Sequence, residues 1–305
     1  MHANLRPLFL HFVCGVLLCI VSAVAAANEV TIRHKGISLN AQLRLAVGKT
    51  LADGAILITH GGLAHRDMEL IATLSNLLQQ KAYNVLAINL SLGLDQRHDM
   101  YDCKITHRHH NADAAEEIGV WVNWLAQQGA GQVVLMGHSR GAAQTALYAA
   151  EQGHALVKAL VLIAPAISEN TDAAEYQRRF HKPLAPVLEK ARKLIKGGKS
   201  KIVLKPVGLL ICPDTSATAE TFVSYYGQSP SLDTPYLIPK LQQPTLVLVA
   251  GNDEVVLGLA QKMTQIVDGL RVKMKIIDGA DHTFRDIYTD EAVDAIDGFL
   301  KSVWR

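Results

Sequence analysis

A serine hydroxyl is a weak nucleophile until a base stands beside it and a turn exposes it. Gly137-His138-Ser139-Arg140-Gly141 supplies a serine in that setting. The β-branched run Val133-Val134-Leu135-Met136 comes before it, and the helix-forming Ala142-Ala143-Gln144-Thr145-Ala146-Leu147 comes after. A sharp strand-to-helix turn crowds the residues two before and two after its apex, and Gly137 and Gly141 are small enough for both places. The helix that starts there also aims free N–H groups at a developing oxyanion. An ordinary Gly-rich turn is the plain alternative, and the strand before and helix after argue against it.

The matching base and acid stand at two later strand ends. His282, in Gly279-Ala280-Asp281-His282-Thr283-Phe284, follows an apolar strand at 272–277. It could take the Ser139 proton and return it to a leaving group. Asp253, in Ala250-Gly251-Asn252-Asp253-Glu254-Val255-Val256, follows a strand at 246–249. A carboxylate there can orient His282 and stabilise its protonated form. A solvated turn acid is the bland reading of Asp253, with Glu254 as the fallback acid. Upstream, His60-Gly61-Gly62 closes a strand at 55–59, where a glycine lets a backbone N–H approach an oxyanion.

The elements that must carry these residues alternate. Apolar runs fall at 29–33, 37–47, 55–59, 85–90, 133–136, 159–163, 246–249 and 272–277. Several are apolar on both faces, as in parallel strands covered by helices. Helical stripes lie between them: Leu70, Leu74, Leu77 and Leu78, then Ile118, Val122 and Leu125, with a last helix from about 290 to 303. This rhythm predicts an α/β open, mostly parallel sheet of about eight strands. Residues 167–241 interrupt it with prolines and read as an insertion between the sixth and seventh strands.

The order Ser139, Asp253, His282 on this rhythm resembles the α/β-hydrolase superfamily of esterases, lipases and serine peptidases. The resemblance covers residues 29–305, with 167–241 in the place of that family's variable, helical cap. It implies Ser139 as nucleophile, Asp253 as acid and His282 as base. It implies an oxyanion hole from the N–H groups of Arg140 and Gly62, with Leu63 the alternative to Gly62. It implies ester or thioester hydrolysis of a small or lipid-like acyl substrate, with no metal and no organic cofactor. A peptidase or amidase with the same triad is the rival, and a noncatalytic binding protein on the same fold is the rival from another class.

Other features set the surroundings. Arg6 and the apolar run 8–21, ending in Ala23-Val24-Ala25-Ala26-Ala27, read as a signal peptide over 1–27 cut after Ala27, with a retained anchor as the alternative. The expectation is a secreted or periplasmic protein whose hydrolase domain spans 28–305. Cutting there leaves two cysteines, Cys103 and Cys212, either paired or two separate thiols. The loop 91–110 follows the fourth strand and should border the site, so His107 and His110, with His138 from the serine turn, are candidate substrate contacts. His107, His109 and His110 make a poor metal chelate, and no metal site is assigned. Residues 178–205 hold ten Lys or Arg and one acid, Glu189, which is a solvated face or an attraction for an anionic surface or substrate. Overall, 30 basic against 28 acidic residues exclude a dedicated nucleic-acid binder. Nothing in the sequence fixes the oligomeric state.

Overall fold

The computed structural model describes Met1 and residues 27–304. The expected signal peptide therefore lies almost wholly outside the described residues. Strands β1 (Ala27–His34) and β2 (Ile37–Arg44) form a hairpin, followed by β3 (Ala55–Thr59), α1 (Glu69–Gln80) and β4 (Val85–Ile88). Next come α2 (Asp113–Gln127), β5 (Val133–His138), α3 (Arg140–Glu151) and β6 (Val157–Ile163). The insertion holds α4 (Ala173–Phe180), α5 (Leu184–Lys196), β7 (Val203–Leu209), β8 (Cys212–Thr218), α6 (Ala219–Tyr226) and α7 (Thr234–Leu237). The chain closes with β9 (Thr245–Ala250), α8 (Leu259–Met263), β10 (Val272–Ile277) and α9 (Ile287–Val303).

The eight strands outside the insertion form one sheet in the order β1-β2-β4-β3-β5-β6-β9-β10. Strands β4, β3, β5, β6, β9 and β10 run parallel, and only the β1–β2 and β2–β4 pairs are antiparallel. The two-sided apolar runs have a direct cause. Successive side chains point to opposite faces, so Val133 and Leu135 of β5 join one core while Val134 and Met136 join the other. Trp121 and Val122 of α2 and Leu147 of α3 fill the first core. Leu70, Leu74 and Leu78 of α1 and Ile296 and Leu300 of α9 fill the second.

The insertion is not purely helical as expected. It contains the antiparallel pair β7–β8. Its prolines read in sequence as breakers, yet a two-stranded ribbon tolerates proline wherever no ladder N–H is needed. Pro206 sits where the register skips between Leu204 and Val207. The ribbon is fixed to loop 91–110 by a Cys103–Cys212 disulfide, with Cα atoms 5.5 Å apart, which settles the cysteine question in favour of pairing. Inside the insertion Tyr176 packs edge to face against Phe180, Phe222 and Tyr226, with the Tyr176 and Tyr226 ring centres 5.1 Å apart. Among the described residues no helix is long and apolar enough to cross a membrane.

One buried acid ties a helix to the loop after β4. Glu117 of α2 accepts hydrogen bonds from the Ser91 N–H (2.7 Å) and hydroxyl (2.5 Å). Burial pushes its carboxyl up to about 7, outweighing those two bonds. Unfolded, it ionises near 4.5, so folding takes up a proton between the two values. Its contribution to stability is full below pH 4.5 and is lost as pH rises through 7. Denaturant titrations should show the stability of the wild type relative to Glu117→Gln falling across that window; a pH-independent difference would refute the assignment.

Candidate active site

All the parallel strands end on one edge, where open α/β sheets gather functional loops. At the end of β5 the chain turns at Ser139, whose φ of 55° and ψ of −125° lie in a region that a residue with a side chain rarely adopts. Its N–H donates to the Ile163 carbonyl (2.8 Å), and its own carbonyl accepts from the Ala166 N–H (3.1 Å). The glycines are required by contact. A Cβ on Gly137 would stand 2.6 Å from the Ala142 Cα, and one on Gly141 would strike the His60 carbonyl.

His282 arrives on the loop after β10. Its Nε2 is 2.9 Å from the Ser139 Oγ, and its Nδ1 is 2.8 Å from the Asp253 Oδ2. Asp253 also accepts the N–H groups of Val255 (2.7 Å) and Val256 (2.8 Å). Burial opposes its ionisation, but His282 and those N–H groups outweigh burial and hold the carboxyl below its ordinary value. A carboxylate at Nδ1 assigns the proton there and leaves the Nε2 lone pair for the serine O–H. Glu254, the fallback acid, is exposed and turned to solvent. The Asn252 N–H donates to the Ala280 carbonyl (2.8 Å), so the acid and base loops are tied to each other.

A cavity of about 450 Å³ opens at this point. Ser139, His282, Gly62, Leu63, Arg140 and His138 all line it. Arg140 is the first residue of α3, where main-chain N–H groups have no partner within the helix. Gly62 has a φ of +41°, and space is open where its Cβ would stand. Apolar walls come from Met68, Met100, Leu210, Ile211 and Val255. Met100 belongs to loop 91–110, so that loop does border the cavity. The basic stretch contributes only Arg179.

Two expected substrate contacts are not brought to the cavity. His107 is fully buried, because its backbone pairs with β8: its N–H donates to Ser216 (2.8 Å) and its carbonyl accepts from Thr218 (3.0 Å). Its Nδ1 lies 3.0 Å from the His109 Nε2. His110 lies just ahead of α2, with its N–H on the Asp113 carboxylate (2.7 Å). Among the described residues these histidines form no group able to hold a metal ion.

Two residues that the sequence noted for other reasons hold the site together. His60 is fully buried: its Nε2 accepts from the Leu90 N–H (3.1 Å) and the Arg97 guanidinium (3.0 Å), and its Nδ1 donates to the Gly61 carbonyl (3.2 Å). Burial and the Arg97 charge pull its pKa down to about 3, so it stays a neutral tie holding the Gly61-Gly62 turn. His138 was expected to touch substrate, and it also donates from Nε2 to the His282 carbonyl (2.8 Å). Burial pulls its pKa down to about 4, so it remains neutral beside His282. Adjacency to the glycine turn and to Ser139 was the only signal for either role.

The family model described as "Alpha/beta hydrolase family" matches residues 56–296. The chain belongs to the alpha/beta hydrolase family. Its structure is similar to Est1E from Butyrivibrio proteoclasticus, with TM-score 0.62 at 17% identity, covering 90% of this chain and 98% of that one. It is similar to the esterase domain of a Rhodothermus marinus protein, with TM-score 0.60 at 16% identity over 92% and 100% of the two chains. It is also similar to a Pyrococcus furiosus esterase, with TM-score 0.62 at 15% identity over 92% of each. At these identities the likeness shows the shared fold. No curated protein sequence matches the chain.

His138 should act by holding the His282 main chain. His138→Phe removes the donor and should lower kcat about tenfold with a smaller effect on KM, the size of one lost hydrogen bond. His138→Gln, which can donate to the same carbonyl, should keep most of the rate. Equal losses in both variants would dismiss the role.

Proposed function

We propose that this protein is a serine hydrolase that cleaves a carboxylic ester, or a thioester, through an acyl-enzyme. The observation that carries the reading is the hydrogen-bonded series Ser139–His282–Asp253 at a strained strand-to-helix turn, opening on a cavity. Similarity to esterases agrees with it.

The steps follow from the geometry. The Ser139 Oγ attacks the substrate carbonyl as the His282 Nε2 takes its proton. The oxyanion lies against the Arg140 N–H and the N–H of Gly62, or of Leu63 beside it. Asp253 stabilises the imidazolium, which then protonates the departing alcohol or thiol. Water enters, His282 takes its proton, and the second collapse releases the acid and restores Ser139. No step calls on a metal or an organic cofactor.

A fluorophosphonate probe should label the wild type at one site and leave Ser139→Ala unlabelled. The variant should also lose p-nitrophenyl ester turnover by at least about a thousandfold. A folded wild type that neither labels nor turns over esters would favour a binding protein on the same fold. Faster cleavage of matched p-nitroanilides than of p-nitrophenyl esters would favour the amidase reading.

We further propose that the protein is secreted or periplasmic, released by cleavage after Ala27. The basic start, the apolar run and the alanine-rich end support this, and the Cys103–Cys212 disulfide suits an oxidising compartment. N-terminal sequencing of protein recovered from outside the cytoplasm should begin at Asn28; an intact Met1 would contradict the proposal.

A further inference from the structure

The cavity beside Ser139 holds a positive charge that the chain itself does not balance. Arg140 is 9% exposed and lines the cavity. Its guanidinium carbon stands 5.6 Å from the ring centre of Tyr225, within cation–π reach. It forms no ion pair and no hydrogen bond with any side chain among the described residues. A buried guanidinium is ordinarily paired, because an uncompensated charge out of water is costly.

The surroundings explain why nothing in the chain answers it. The groups that act on Arg140 are Tyr225, Tyr226 and a second cation, Arg179. Burial keeps both phenols un-ionised, pushing Tyr226 up to about 12 and Tyr225 further. Behind Tyr225 stand His109, with its Nδ1 2.8 Å from the phenol oxygen, and His107. Burial pulls their pKa values down to about 3 and about 4, so this layer is neutral as well. Glu175, the acid on α4 beside Arg179, is already engaged by Arg178 and Arg179, each at 2.6 Å. The acids that line the cavity, Glu69 and Asp286, are exposed to solvent. Asp253 is committed to His282.

We propose that the Arg140 guanidinium receives a carboxylate carried by the substrate, making this a hydrolase for esters that bear a free acid group. Recognition by the fork of a guanidinium suits the two oxygens of a carboxylate. One unpaired guanidinium balances one negative charge, which fits a carboxylate better than a phosphate monoester carrying nearly two. Arg179 lines the same cavity but is shared with Glu175 and the Leu210 carbonyl, so its contribution is the smaller. Met100, Leu210 and Ile211 would cover the apolar part of such a substrate. The proposal rests on the serine-hydrolase reading for turnover, not for binding.

Matched pairs of esters test it, with the acid placed on either side of the scissile bond. Mono-p-nitrophenyl glutarate against p-nitrophenyl valerate reads an acid on the acyl side. 4-Acetoxybenzoate against its methyl ester reads an acid on the leaving group. One anionic member should be preferred in kcat/KM by about tenfold or more, the scale of a charge-assisted hydrogen-bonded pair. Arg140→Met should abolish that preference through KM, Arg140→Lys should retain part of it, and Arg179→Met should weaken it less. Calorimetry of mono-p-nitrophenyl glutarate and 4-acetoxybenzoate with Ser139→Ala reads binding without turnover, and adding Arg140→Met should remove it. Neutral esters preferred on both arms, with neither anion bound by Ser139→Ala, would overturn the proposal while fluorophosphonate labelling stays intact. Binding of an anion that depends on Arg140 in a protein that never labels would instead sink the hydrolase reading and leave the anion site standing.

Discussion

The backbone of Ser139 is the constraint around which the rest is built. A residue with a side chain at φ 55° costs about 1–3 kcal/mol, and it persists only where its neighbours permit nothing else. Here the end of β6 accepts the Ser139 N–H, the segment after it donates to the Ser139 carbonyl, and the end of β3 fills the space where a Cβ on Gly141 would stand. Three adjacent parallel strands therefore meet at one turn. Their order in the sheet is a precondition for exposing the serine hydroxyl and also for starting α3 beneath it.

The same arrangement brings His282 and Asp253 in from the other half of the sheet. β9 lies beside β6, and β10 beside β9, so the loop some 140 residues downstream of Ser139 places His282 within hydrogen-bond reach of it, and the loop some 110 residues downstream places Asp253 within reach of His282. Their mutual backbone contact, Asn252 to Ala280, fixes Asp253 against His282 without help from substrate. His138 adds a link from the β5 end to the His282 main chain. The histidines thus divide by environment: His60 and His138 are kept neutral by burial and serve as ties, while His282 alone stands between a carboxylate and a hydroxyl.

A second layer shapes what can enter. The Cys103–Cys212 bridge and the pairing of His107 with β8 join loop 91–110 to the ribbon of the insertion, and both segments reach the cavity, through Met100 and through Leu210 and Ile211. His107 and His109, from the histidine-rich sequence that attracts notice as a metal or substrate motif, are the packing behind Tyr225, while His110 pairs with Asp113. The consequence is electrostatic: the neutral rings of His107 and His109 stand behind Tyr225 and Arg140, while the nearby Asp113 carboxylate is engaged by His110.

By itself the sequence determined the fold and singled out Ser139, Asp253 and His282, because those signals are local. Apolar runs alternating with helical stripes specify a sheet covered by helices, and all eight strands of that sheet were legible as apolar runs, several of them two-sided. Gly137 and Gly141 around Ser139, and an acid and a histidine at later strand ends, are likewise written in short segments. Proline weakened the reading of β7 and β8, since only the two-stranded context makes Pro206 acceptable. Tertiary structure alone decided the pairing of Cys103 with Cys212, the retreat of His107 and His110 from the cavity, and the hydrogen bond from His138 to His282. It alone decided that Arg140 finds no acid. Each of these depends on distances between segments remote in the chain, and no local pattern carries the charge or the contacts of the other side.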